Sequence, residues 1–229
     1  MVVTIDFDGT ITGADITDAL LERFADPGWQ HAESLWQAGL IGSRECLSTQ
    51  VGCIGRGLDE LLDYADSFRP LDGFVEFIHM MQQASIAFCV ISDGFKPVID
   101  RVLGNCGLKL PVYASDLRED GGLLRPFFPN AGRDCPSATC KCAVASAVSR
   151  GAPIVHIGDG RSDFCLARQA RHVFSRNDLS RYCDEEGITH SPFADFYDLR
   201  RTLAGFLAEE TWPAGPPETA EGEELSYAL

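Results

Sequence analysis

Four aspartates, set in two pairs, are the residues of this sequence best suited to chemistry. Asp6 and Asp8 lie two residues apart after an apolar run, and Asp159 and Asp163 lie four residues apart after another. A paired carboxylate can hold a hard divalent cation, while one member attacks an electrophile or transfers protons. Asp8 is also followed by Gly9, and Asp-Gly is a common turn. The first pair alone therefore leaves a catalytic site and a plain turn equally open.

Two further segments carry groups that suit a phosphate oxygen. Ser92 and Gly94 follow an apolar run, and a serine hydroxyl together with a glycine amide is a suitable pair of donors. Ser-Asp-Gly is also a plain turn. Lys141 is one of three lysines in a chain that otherwise uses arginine, which favours a compact point charge with a specific task. The alternative for Lys141 is a solvated surface position.

Short apolar runs that end at polar or glycine-rich turns recur along the chain and predict buried parallel strands. They cover residues 2–7, 86–91, 112–114, 154–157 and 172–174. Helical spacing is found between them, at residues 74–83, 97–106, 141–149 and 163–170. This alternation predicts an α/β fold, a Rossmann-like doubly wound parallel sheet. Because ligands of such sheets bind beyond the carboxyl ends of the strands, we expect the site there.

The segment between the first two strands breaks the alternation, because residues 15–66 contain helical patterns only. We interpret it as a small helical cap inserted after the first strand. The predicted organisation is a core domain at residues 1–14 and 69–208 and a cap at residues 15–68. Residues 209–229 are rich in Pro, Gly and Glu and lack periodicity, which predicts an acidic flexible tail.

Composition and charge exclude several classes of function. The formal net charge is -15, from 19 basic and 34 acidic residues, which disfavours nucleic acid and anionic membranes as partners. No window approaches the ~20 apolar residues of a membrane span, and the N-terminal segment lacks the features of a signal peptide. We therefore expect a cytoplasmic protein with no membrane partner.

Taken together, the four segments resemble the motifs of the haloacid-dehalogenase superfamily: Asp-x-Asp, then Ser or Thr, then Lys, then Gly-Asp-x-x-x-Asp. The resemblance extends to about residue 205. It is strongest to the phosphoserine-phosphatase-like branch, which carries a small helical cap. Within that branch, the sequence most resembles the 2-hydroxy-3-keto-5-methylthiopentenyl-1-phosphate phosphatases of methionine salvage. The stretches that carry this likeness are residues 6–12, 91–95, 140–141 and 157–163.

The resemblance implies a Mg²⁺-dependent phosphatase that hydrolyses a small phosphorylated metabolite through an aspartyl-phosphate. Asp6 would be the nucleophile. Asp8 would protonate the leaving alcohol and then activate the hydrolytic water. Mg²⁺ would be held by the carboxylates of Asp6 and Asp159 and by the backbone carbonyl of Asp8.

The remaining roles follow from the same resemblance. Ser92, the amide of Gly94 and Lys141 would hold the phosphoryl oxygens. Asp163 would orient the metal shell or Lys141.

Two residues of the predicted cap are candidates for substrate specificity. At the place of Asp15, the phosphoserine phosphatases carry an acid that meets the substrate amine. A helix-start acid favoured by the helix dipole is the alternative interpretation of Asp15. Arg44 is a candidate to bind a substrate carboxylate, or it pairs with acidic neighbours.

Two other features have plainer interpretations. His156 lies in a strand of apolar residues, where a core histidine with satisfied hydrogen bonds is the preferred interpretation. Cys135, Cys140 and Cys142 surround Lys141, but a tetrahedral zinc site needs a fourth ligand, which the sequence does not identify. Buried or redox-sensitive thiols are the default interpretation.

Several alternatives to the leading function stay open. Phosphoserine and a metabolite of a specialised biosynthetic pathway are alternative substrates. A phosphotransferase or mutase would share the aspartyl-phosphate but pass the group to another alcohol. A receiver-like signalling module is disfavoured because Asp8 supplies the base that discharges the intermediate, and the acid at this position also argues against dehalogenation. Monomer and homodimer are both open.

Overall fold

The computed structural model describes residues 1–209. Its strands, in chain order, are β1 Val2–Ile5, β2 Ala87–Phe95, β3 Val112–Asp120, β4 Leu123–Phe127, β5 Ile154–Gly158, β6 His172–Ser175 and β7 His190–Pro192. They form a seven-stranded sheet in the order β4-β3-β2-β1-β5-β6-β7. All neighbouring strands are parallel except β3 and β4. The predicted α/β fold with a Rossmann-like parallel sheet is confirmed.

The two end strands of the sheet, β4 and β7, are absent from the prediction. Gly121 and Gly122 adopt positive φ angles of 60° and 79°, which suits the tight turn of a hairpin. This turn folds β4 back along the end of β3 in antiparallel pairing. Strand β7 has only three residues, too few for an alternating pattern to be recognised.

Helices lie between most of the strands and after the last one. They are α1 Ile16–Phe24, α2 Trp29–Gln37, α3 Ser43–Gly52, α4 Leu58–Ala65, α5 Phe74–Gln83, α6 Lys96–Gly104, α7 Lys141–Ser149, α8 Phe164–Ala167, α9 Asn177–Glu186 and α10 Phe196–Glu209. The predicted helix at residues 163–170 is wrong at both ends. Arg161–Asp163 forms a 3-10 turn instead, and α8 covers four residues.

Helices α1 to α4 lie between β1 and β2 in the chain, where the sequence predicts helices only. Leu20, Trp29, Leu47 and Leu61 from these helices belong to the same hydrophobic cluster as the buried residues of the sheet. Burial of this shared apolar surface holds the helices on the sheet. The boundaries of a separate cap stay a prediction. Residues 210–229 of the predicted tail lie outside the described residues.

The order of the central strands positions the motif residues. β1 lies between β2 and β5. Asp6 directly follows β1, Ser92 lies near the end of β2, and Asp159 directly follows β5. Because the three strands are parallel, their carboxyl ends share one edge of the sheet. Within residues 1–209, no helix combines the length and the apolar character that a membrane crossing requires.

Candidate active site

Asp6, Lys141 and Asp163 form a buried ion-pair network beyond the end of β1. Lys141 Nζ lies 2.8 Å from Asp6 Oδ1 and 2.6 Å from Asp163 Oδ1. All three residues are buried. Burial lowers the pKa of Lys141, but the two carboxylates outweigh burial, and the net pKa is raised. Lys141 is therefore a fixed positive charge between two acids.

His156 contacts the same acid. Its Nε2 lies 2.9 Å from Asp163 Oδ1, and its Nδ1 lies 2.9 Å from the Thr4 hydroxyl oxygen. Both ring nitrogens thus have partners, as the sequence predicts for a core histidine. Asp163 Oδ2 accepts hydrogen bonds from the amides of Asp159 and Gly160, at 3.1 and 3.2 Å. Burial raises the pKa of Asp163, but the neighbouring lysine and histidine outweigh burial and hold it well below its usual range.

Three carboxylates could take part in holding a cation. Asp6, Asp159 and Asp163 each offer one oxygen, and these oxygens lie within 4.8 Å of one another. Asp163 is already paired with the positive charge of Lys141 and with two backbone amides. The donors to Asp159 are neutral: the Thr10 hydroxyl at 3.1 Å and the Asn177 amide at 3.2 Å. Burial, followed by the charge of Asp163, raises the pKa of both Asp6 and Asp159. A cation near Asp6 and Asp159 would stabilise their ionised forms and so lower both pKa values, and carboxylate oxygens are ligands that suit Mg²⁺.

Asp8 lies beside this network in a different environment. Its Oδ1 accepts a hydrogen bond from the Ile16 amide at 2.8 Å. Burial raises the pKa of Asp8 to about 6, although the Ile16 hydrogen bond opposes the shift. A carboxyl group with a pKa near 6 can both donate and accept a proton near neutral pH. The backbone of Gly94 is so close that a Cβ there would lie 2.6 Å from Asp8 Oδ2, so a side chain at position 94 would displace Asp8.

Ser92 and Gly94 lie in an irregular part of β2. Pairing with β3 is regular up to Ile91 and resumes at Phe95, so the three residues between them bulge out of register. Ser92 and Gly94 both line the cavity described below. The Gly94 amide, however, donates to Ser92 Oγ at 2.9 Å. It already has a partner, whereas the prediction assigned it to a phosphate oxygen.

A cavity of about 360 Å³ lies between the motif residues and the helices α1 to α3. Glu33 in its wall is fixed by hydrogen bonds from Gln50 Nε2 at 3.0 Å and Gln37 Nε2 at 2.9 Å. Burial, and then the charge of Glu33, raises the pKa of nearby Asp18 to about 6. The wall that faces the catalytic motifs is therefore itself acidic. Its lining side chains, most of which the sequence analysis missed, are Asp15, Thr17, Asp18, Glu33, Trp36, Ser43, Cys46, Leu47 and Gln50.

The two predicted specificity residues have different positions. Asp15 lines the cavity and also caps α1, where its Oδ1 accepts from the Asp18 amide at 2.9 Å. Arg44 is not among the lining residues, and its guanidinium donates to the Cys135 carbonyl at 3.3 Å. Arg44 lies outside the buried face of its helix, and its substrate-binding role stays a prediction. That face consists of Ser43, Cys46, Leu47, Gln50 and Val51.

A hydrogen-bonded contact that the sequence did not reveal joins α3 to the sheet. Ser43 Oγ donates to Asp93 Oδ2 at 2.5 Å and accepts from the Ala138 amide at 3.0 Å. Asp93 Oδ1 accepts from the Thr139 amide at 2.8 Å. Asp93 thereby connects the end of β2, the start of α3 and the loop that leads to Lys141.

Comparison with known proteins agrees with this geometry. The sequence profile of the haloacid dehalogenase-like hydrolases matches residues 3–168. The chain is 30% identical over 211 residues to the 2-hydroxy-3-keto-5-methylthiopentenyl-1-phosphate phosphatase of Exiguobacterium sp., a match that covers 89% of this chain and 97% of that protein. It is 27% identical over 206 residues to a phosphatase of the same name from Geobacillus thermodenitrificans, covering 87% and 93%.

Solved structures show the same fold. A substrate-bound phosphoserine phosphatase aligns with a TM-score of 0.69 and 17% identity, over 89% of this chain and 97% of that chain. At this identity the likeness concerns the fold alone. The profile match and the 30% relative show that the chain belongs to the haloacid dehalogenase-like hydrolase family. Within that family it is a phosphatase, a phosphoric monoester hydrolase.

Proposed function

We propose that this phosphatase hydrolyses a small-molecule phosphate monoester with Mg²⁺ through phosphorylation of Asp6. The observation that carries the proposal is the buried contact of Lys141 with Asp6 and Asp163, placed beside a carboxyl group whose pKa is about 6. This arrangement combines a fixed nucleophile, a fixed positive charge and a proton carrier at one edge of the sheet.

Asp6 is held in place for attack on phosphorus. Its Oδ1 accepts from the Phe7 amide and contacts Lys141, both at 2.8 Å. These contacts fall on Oδ1, which supports Oδ2 as the oxygen that attacks phosphorus. The bond from phosphorus to the leaving oxygen breaks as the bond to Asp6 forms. Lys141 remains charged throughout and attracts the transferring phosphoryl group.

Asp8 acts as the proton carrier. In its protonated form it donates to the leaving oxygen, and in its ionised form it accepts a proton from the water that attacks the phosphorylated Asp6. Inorganic phosphate then leaves and Asp6 is restored. The burial that raises the pKa of Asp8 to about 6 places both forms within reach near neutral pH.

Asp6 and Asp159 would hold Mg²⁺, together with the backbone carbonyl of Asp8. When bound, the ion offsets the repulsion between an anionic nucleophile and an anionic substrate. Asp163 would support the site indirectly, because its carboxylate holds Lys141 and the amide of Asp159 in position. Ser92 would contribute its hydroxyl to the phosphoryl oxygens.

The leading substrate is 2-hydroxy-3-keto-5-methylthiopentenyl-1-phosphate, the compound named in the relatives. The acids in the cavity wall can accept a hydrogen bond from its 2-hydroxyl group, and Trp36 and Leu47 offer apolar surface to its methylthio group. Phosphoserine fits less well because its leaving group carries a carboxylate. Among the described residues that line the cavity, Arg161 is the one Lys or Arg, and it donates to the Gln37 carbonyl at 2.7 Å.

Phosphate release from a panel of monoesters, with and without Mg²⁺, tests the proposal. The panel contains the methylthiopentenyl ester, phosphoserine and a simple aryl phosphate. We expect Mg²⁺-dependent release with water as sole acceptor, fastest for the first ester. Asp6→Asn should abolish it, whereas Asp59→Asn, an exposed acid of α4, should not change it. Release that survives Asp6→Asn would refute the nucleophile, and turnover only with an added alcohol would indicate a phosphotransferase.

A further inference from the structure

Four free cysteines gather around the segments that carry Lys141 and Asp163. Cys142 Sγ lies 2.8 Å from Cys165 Sγ, and Cys135 lies near enough to Cys140 to contribute, after burial, to the raised pKa of the Cys140 thiol. Cys165 is the fourth cysteine that the sequence alone did not connect with the other three. Within residues 1–209, however, the thiols do not form a group of three or more ligand atoms compact enough for a metal. The arrangement is therefore two thiol pairs rather than a zinc site.

We propose that Cys142 and Cys165 form a reversible oxidation site, in which a low-molecular-weight disulfide converts the two thiols into an intramolecular disulfide. The sulfur atoms of a disulfide are ~2.05 Å apart, so the two thiols need to approach by about 0.8 Å from their present positions. Two sulfur atoms already in contact across two short segments need no refolding to reach that distance.

Access to solvent gives the two thiols different roles. Cys165 is exposed, whereas Cys142 is partly buried, and burial, followed by its hydrogen bond with Cys165, raises the pKa of Cys142. Cys165 therefore attacks one sulfur of the reagent and expels one thiol. Cys142 then attacks the Cys165 sulfur and expels the second thiol. In sum, two protein thiols lose two electrons and two protons, and one small disulfide is reduced to two thiols.

The position of the pair connects it with the catalytic network. Cys142 directly follows Lys141 in α7, and Cys165 lies two residues after Asp163. The new bond would join the same two segments that the 2.6 Å contact between Lys141 and Asp163 joins. We therefore expect oxidation to fix these segments to each other and to stabilise the folded chain, with 22 residues between the linked cysteines.

The test is treatment of the full-length protein with glutathione disulfide, followed by peptide mapping without reduction. We expect the first cross-linked peptide pair to join Cys142 with Cys165. Oxidation should remove two titratable thiols, raise the melting temperature by roughly 5–10 °C, and be reversed by dithiothreitol. These readouts do not depend on phosphatase activity, so they can fail independently of the proposed function.

Three variants sharpen the result. Cys142→Ser and Cys165→Ser should each lose both the cross-link and the thermal shift. The matched control is Cys53→Ser, because Cys53 is a partly buried thiol whose contact is the Thr49 carbonyl, and it should behave as the unmodified chain does. A first cross-link between any other pair, or a stable glutathione adduct on Cys165 without a cross-link, would overturn the proposal.

Discussion

Removing the Ser43 hydroxyl should loosen the contact between α3 and the sheet. Ser43 is buried, donates to Asp93 and accepts from the Ala138 amide. Ser43→Ala therefore deprives a carboxylate of one donor and leaves one amide without its acceptor. A hydrogen bond to a charged group contributes about 1.5–3 kcal/mol. We expect the free energy of unfolding to fall by about 2–3 kcal/mol and the melting temperature to fall by roughly 4–10 °C.

Ser43→Ala should also change substrate binding more than turnover. Helix α3 supplies Ser43, Cys46, Leu47 and Gln50 to the cavity wall, whereas the hydrogen bonds of the Ser43 hydroxyl go to Asp93 and Ala138 rather than to the nucleophile. If looser positioning of α3 costs about 1.4 kcal/mol of substrate-binding free energy, KM rises about tenfold, and kcat changes less. Steady-state kinetics and urea unfolding measure the two effects on the same preparations.

The matched control is Ser48→Ala in the same helix. The Ser48 hydroxyl is exposed and donates to the Arg44 carbonyl one turn earlier, so its loss should cost less than about 0.5 kcal/mol. A double-mutant cycle of Ser43→Ala with Asp93→Asn isolates the pairwise term, which we expect to be at least about 1 kcal/mol. Equal stability of the two serine variants, or a coupling energy near zero, would refute the reasoning.

Three further predictions follow from the same site. In metal-free buffer, Asp8→Asn should stabilise the protein at pH 8 by roughly 1–3 kcal/mol, because burial raises the pKa of Asp8 from its ordinary value of 3.8 to about 6 in the folded protein. The cost of ionising buried Asp8 in the wild type appears as the pH rises between these two values. If the variant and the wild type still differ in free energy of unfolding at pH 4, this explanation is contradicted. Millimolar Mg²⁺ should raise the melting temperature of the wild type but not that of Asp159→Asn, and an equal shift in both would remove Asp159 from the metal site. His156→Ala should lower the free energy of unfolding by about 3–5 kcal/mol, since it removes one of the donors to buried Asp163 and leaves a cavity in the core, whereas the exposed His79→Ala should have little effect in the same urea titration.

The chemistry of the strand ends could be read from local sequence. Asp6, Ser92 and Asp159 each follow or end an apolar run, and the carboxyl ends of neighbouring parallel strands must share an edge. The helix-start position of Asp15 is likewise a local property, because a capping carboxylate accepts from an amide three residues later.

Two features of the structure had signals in the sequence that the predictions did not use. The Gly121-Gly122 pair marks the hairpin before β4. The apolar spacing of α3 places Cys46 and Leu47 on its buried face and leaves Arg44 outside it. A helical-wheel argument therefore predicts the side of α3 that lines the cavity, while the substrate role of Arg44 stays a prediction.

By itself, the sequence determined the fold class and the motif acids that meet at the sheet edge, because these depend on periodicity and on strand direction. Tertiary structure alone decided that His156 contacts Asp163, that Ser43 contacts Asp93 and that Cys142 contacts Cys165. Two of these pairs join residues 50 and 23 positions apart. Such side-chain contacts depend on how each helix packs on the sheet and on its rotation about its own axis. Local periodicity does not encode that rotation.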